Sequence, residues 1–131
     1  MKKIGIVGSR RRDDREDKIA VWNEFKKWYE KGDVIVSGGC PKGGDRFAEE
    51  FASVLGLTEA NGGLIIHRPN PVPKGSSKYD YMKAFYERNT LVAKDADVLI
   101  ACVSPDRKGG TEDTIKKFLK FGKDPIFLVI I

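Results

Sequence analysis

A chain of 131 residues, 40% hydrophobic and 33% charged, has the balance of one folded domain and excludes a disordered or collagen-like polymer. No apolar run approaches the roughly 20 residues of a membrane helix, and "MKKIGIVGSRRR" passes from charge into a short strand without a secretory core, so a cytoplasmic protein with no membrane partner is expected. The net charge of +5 suits an anionic ligand, whereas the lysines of "KKWYEK" and "KKFLKFGK" read as solvated helix faces and do not favour nucleic acid.

The first apolar run, Lys3 to Val7, reads as a strand and leads into "GSRRR". Arg10 is expected to reach a crevice there beside Gly8 and Ser9, with Arg11 and Arg12 in solvent. Val21, Trp22, Phe25, Trp28 and Tyr29 then recur at helical spacing, predicting a core-facing helix that Gly32 stops. A second strand, Asp33 to Ser37, runs into "GGCPKGGDR" and a helix from about Asp45 to Leu55. A strand, a glycine loop and a helix N-terminus together form an anion-binding arrangement: Ser37, Gly38, Gly39, Gly43 and Gly44 let backbone amides approach a ligand and Lys42 adds charge. Asp45 is expected to cap that helix. The loop lacks the GK[ST] of a Walker A loop, and strand one lacks G-x-G-x-x-G, which excludes a P-loop and a nicotinamide-binding turn.

A third strand, Leu64 to His67, precedes the loop 68–80, which with three prolines and "KGSSKYD" is long enough for a lid. The third helix, about Tyr79 to Lys94, is predicted to bury Met82, Phe85, Tyr86, Val92 and Ala93. Asn89 lies on that same stripe, where a polar amide needs a partner, either neighbouring backbone or a ligand. Arg88 beside it is a planar donor suited to phosphate. After a fourth strand, Asp97 to Val103, the turn "KGGTED" opens a fourth helix with Thr111 at the N-cap and Ile115, Phe118 and Leu119 inward. Glu112 and Asp113 in its first turn repel a phosphate, so Gly109, Gly110 and Thr111 are expected to hold sugar or base, with phosphate nearer Lys42 or Arg10. Pro125 to Ile131 reads as the last strand.

One histidine, His67, and two separated cysteines, Cys40 and Cys102, provide neither a nucleophile with its base nor a metal-ligand set, so no metal and no cofactor is expected. Strands alternating with helices predict an α/β, Rossmann-like doubly wound sheet of five parallel strands in the order 3-2-1-4-5, with helices on both faces and ligands beyond the carboxyl ends of strands one and four.

"KIGIVGSRRR", "VIVSGGCPKGGDRFAEEFA", "ERNTLVAKDADVLIACV" and "RKGGTEDTIKKFLKFGKDPIFLVII", in this order over nearly the whole chain, resemble the SLOG superfamily of nucleotide-binding domains, closest to its YspA/YpsA-like branch. The resemblance implies one domain over 1–131 that binds a nucleotide or nucleotide-derived ligand as a sensor or signalling module, and pairing of two copies into a homodimer through helices. It also implies two alternatives: single-stranded DNA binding, as in DNA-processing protein A, and hydrolysis of nucleoside 5'-monophosphates, as in the LOG phosphoribohydrolases. For hydrolysis the catalytic residues carried over are Arg88, in "ERN", and Glu112. The family's P-G-G-x-G-T-x-x-E motif, aligned on Gly110-Thr111, places Thr114 at its glutamate, and Asp106, Arg107 and Lys108 replace P-G-G. Glu112 is two positions early, about 200° around the helix. Binding without turnover is therefore expected.

Overall fold

The computed structural model describes residues 1–131. The strands are β1 (Lys3–Gly8), β2 (Val34–Ser37), β3 (Leu64–Ile66), β4 (Val98–Cys102) and β5 (Leu128–Ile130); the helices are α1 (Arg15–Trp28), α2 (Gly44–Val54), α3 (Lys78–Asp95) and α4 (Gly110–Lys120). The strands form one parallel sheet ordered β3-β2-β1-β4-β5, as the alternation of elements predicts. A single 3-10 turn, Pro125–Phe127, replaces the front of the predicted last strand, because Pro125 has no amide to give a ladder. No helix is long and apolar enough to cross a membrane.

Residue alternation divides the interior in two. Ile4, Ile6, Ile35, Val98 and Ile100 face α1 and α2, meeting Val21, Phe25, Phe47 and Phe51. Val7, Val36, Leu99 and Ala101 face α3 and α4, meeting Val92, Ala93, Ile115 and Phe118. Both faces of the central strands are thus covered, which is why they are apolar without interruption. In the first helix only Val21 and Phe25 are buried; Trp22, Trp28 and Tyr29 pack around them at the edge.

Several local expectations are corrected by tertiary contacts. Met82, Phe85 and Tyr86 are exposed, although they share the helical period of the buried Val92 and Ala93. The reason is length: 18 residues of α3 extend about 27 Å, whereas the five residues of β4 extend about 16 Å, so the front of the helix projects past the carboxyl edge of the sheet. Leu119 is likewise exposed. Asp45 and Thr111 are not N-caps: Gly43 and Gly109 hold those positions and leave both residues inside the first helical turn. Ser77 is a true cap, exchanging bonds with Asp80 at the head of α3.

Asp33 lies just before β2 and accepts from the amides of Lys2 and Glu30 and from the Lys2 ammonium. Burial alone would raise its carboxyl, but those donors outweigh it and hold the group below the usual carboxylate range. Arg12, expected in solvent, is partly buried: it pairs with Asp17 at 2.9 Å and donates to the backbone oxygens of Val103 and Ile131 at 3.1 and 2.7 Å.

Candidate functional site

β1 and β4 are neighbours whose following connections lead to opposite faces of the sheet, so a crevice opens beyond their carboxyl ends. A cleft of about 480 Å³ occupies that place. Val7, Gly8, Ser9, Arg10 and Arg11 line it from the end of β1, and Gly38, Cys40 and Asp45 from the region between β2 and α2. Met82, Phe85, Tyr86, Arg88 and Asn89 line it from α3, and Lys108, Gly109, Gly110, Thr111 and Thr114 from the head of α4.

The two glycine turns differ in what their amides already hold. In the first, the amides of Gly38 and Cys40 donate to Asp45 Oδ1 and Oδ2, both at 3.2 Å. The Gly39 amide donates to Ser37 Oγ at 3.1 Å, and the Gly43 amide to Asp13 Oδ1 at 2.6 Å. Arg46 grips the same Asp13 oxygen, and those two donors hold its carboxyl below the usual range. The loop amides of Gly38, Cys40 and Gly43 are therefore taken by the protein's own carboxylates, while those of Gly44, Asp45 and Arg46 at the head of α2 donate to no group of the protein. Ser37, Gly39, Lys42, Gly43 and Gly44 lie outside the lining of the cleft, with Lys42 exposed. Gly44 serves packing instead: a Cβ on it would sit 2.2 Å from the Val7 carbonyl carbon, so only glycine lets α2 abut β1.

The second turn is open. Gly109 adopts φ 111°, and the amides of Gly110, Thr111 and Glu112 donate to no group of the protein; the first bond of α4 is Asp113 N–H to Gly109 O at 3.4 Å. Thr111 is nine-tenths buried, lines the cleft, and its hydroxyl has no protein partner. The two acids expected to repel an anion there are neutralised. Arg107 takes Glu112 in a fork of two 2.8 Å bonds, and Lys117 takes Asp113 at 2.8 Å. Glu112, one of the two residues carried over for catalysis, is not a lining residue.

Arg88 lies on the floor of the cleft with Nε and Nη1 each bonded within the protein and Nη2 without a partner. Its Nη1 donates to Gly38 O and stands 3.8 Å from Asp45 Oδ2, and its Nε donates to Asn89 Oδ1 at 3.0 Å. Asn89 carries the chain onward, its Nδ2 donating to Gly110 O at 3.3 Å and Asp113 Oδ2 at 3.1 Å. Its predicted need for partners is thus met by the α4 turn. Burial pushes the Asp45 carboxyl up, against the pull of Arg88 and of the Gly38 and Cys40 amides. Arg11 is paired with Asp106 at 2.6 Å; with Ser104 donating as well, Asp106 is held down at about 2. Arg10 and Lys108 are the lining cations whose side chains make no hydrogen bond or ion pair with the protein.

Lys108, Thr114, Arg11, Val7, Cys40, Val92 and the three exposed α3 side chains are the lining residues outside the predicted ligand set. Lys108 adjoins the glycine pair, a signal available in "RKGGTED"; Met82, Phe85 and Tyr86 carry the same period as core and are separated from it by helix length alone. Comparison of the chain with protein-family models, with curated proteins and with solved structures finds no match.

Proposed function

We propose that this chain is a SLOG-type module that binds a nucleotide or nucleotide-derived ligand at the carboxyl edge of its sheet, with the phosphate at the head of α4. The observation that carries this reading is the set of three helix-terminal amides at Gly110, Thr111 and Glu112 and the Thr111 hydroxyl, which has no protein partner, next to Arg10 and Lys108, two cations without an ion pair. Amides at a helix N-terminus favour an anion through both hydrogen bonds and the helix dipole. The α3 wall of Met82, Phe85 and Tyr86 offers a base an apolar face in the same cleft as the α4 turn.

Binding is favoured over turnover because Glu112 is clamped by Arg107 away from the cleft, while Arg88 is engaged with Gly38, Asn89 and Asp45. Release of free base from a nucleoside monophosphate by the purified protein would restore the hydrolase alternative.

Thermal denaturation in the presence of mono-, di- and cyclic nucleotides tests the reading. A ligand at one hundred times its Kd adds about 2.7 kcal/mol and raises Tm by several degrees. Thr111→Val, which removes one hydroxyl donor, lowers affinity for the binding nucleotide by about tenfold at unchanged Tm of the free protein. A flat Tm across the whole panel would overturn the reading.

A further inference from the structure

Asp45 is the sole carboxylate among the residues lining the cleft, and that cleft also holds four cationic side chains. Each Asp45 oxygen receives one amide, from Gly38 and Cys40, and a carboxylate has about four lone-pair sites, so acceptor capacity remains on both oxygens. Arg88, 3.8 Å from Oδ2, already provides the countercharge, so that capacity suits neutral O–H or N–H donors and not a second cation. Because the same carboxylate takes the Gly38 and Cys40 amides of the first glycine turn, a phosphate is excluded from those amides, and the α4 turn is open to it. Asp45 and that turn are joined through two consecutive side chains, Arg88 and Asn89, which places them at neighbouring positions on one floor. In a nucleotide the donors nearest the phosphate, once the base lies on the apolar α3 wall, are the sugar hydroxyls.

We infer that the ligand enters in one orientation, phosphate at the α4 turn and sugar against Asp45, whose carboxylate accepts the vicinal hydroxyls of ribose and thereby selects ribonucleotides over 2'-deoxyribonucleotides. This rests on the nucleotide-binding reading above and assigns Asp45 a specificity role within it. Titration calorimetry with matched pairs of ribo- and 2'-deoxyribonucleoside 5'-monophosphates of the four bases measures it directly on the wild-type protein. The expected result is that the best-bound ribonucleotide exceeds its deoxy partner by about tenfold or more, the loss of one hydrogen bond to a charged acceptor. In Asp45→Asn the ratio of ribonucleotide to deoxyribonucleotide affinity falls toward one. Equal affinities within every pair would overturn the role of Asp45 and leave nucleotide binding standing; no binding by any pair would overturn the reading on which it rests. Should Asp45→Asn not fold, the 2'-O-methyl nucleotide on the wild-type protein tests the same contact: it binds as weakly as the deoxy compound, and full affinity for it would overturn the proposal.

Discussion

Asp33 and Asp45 are both nearly buried, yet they titrate in opposite senses because of what surrounds them. Asp33 has donors enough to overcome burial and its carboxyl is lowered; for Asp45 burial prevails and the carboxyl is raised. A lowered group contributes stability that is present above the unfolded value, about 3.9, and is lost as pH falls through the folded value. A raised group works the other way: the folded state binds the extra proton, so its contribution diminishes as pH climbs from the unfolded to the folded value. Urea denaturation between pH 3 and 7 separates them. Asp33→Asn flattens the loss of stability below about pH 4, and Asp45→Asn makes the fall between neutral pH and about pH 4 steeper. A common response of the two variants would contradict the assigned environments.

At the scale of elements, α2 is fixed at both the side and the end. Phe47 and Phe51 fill the core under it, while Gly44 abuts the end of β1. Phe47 is fully buried, so Phe47→Ala costs roughly 3–5 kcal/mol in urea denaturation. Gly44→Ala places a Cβ 2.2 Å from backbone, which must shift; a loss of at least about 1–3 kcal/mol is expected, together with weaker nucleotide binding because Asp45 moves with the helix. Retained Tm in Gly44→Ala would show that the helix end is free to slide. This architecture was legible in the sequence: continuous apolar runs separated by helical periods leave little choice but a parallel sheet covered on both faces, and Asn89 on an apolar stripe announced a polar junction. What was not legible was which glycine turn stays open. That depends on Asp13 reaching Gly43, 30 positions away, and on Asp45 turning back on its own loop, contacts that no local pattern encodes.

Across the whole molecule the net charge of +5 is less available than it looks. Arg11 and Arg12, two of the three arginines of "SRRR", are bound to Asp106 and to Asp17 with two backbone oxygens. Arg10 and Lys108 remain at the cleft, a pair matched to one phosphate and not to a strand of them. Affinity for a nucleoside monophosphate accordingly falls as salt rises from 0.1 to 1 M, where the screening length shrinks from about 10 to about 3 Å. Single-stranded DNA, by contrast, is not retained at physiological salt; retention with a steep salt slope would transfer the ligand class from nucleotide to polynucleotide.

The projection of α3 past the sheet has a mechanical corollary. Its rear turns, with Val92 and Ala93, are clamped in the core, while Met82, Phe85 and Tyr86 are exposed side chains on a front held by the buried Ala84 and by Lys117, which donates to the Tyr86 carbonyl. Turning those three side chains disturbs little packing, whereas the α4 turn is tied through Asn89 and Thr114 and yields far less. On the proposed reading such a cleft is strict at one end and forgiving at the other, tolerant of different rings on the same phosphorylated handle.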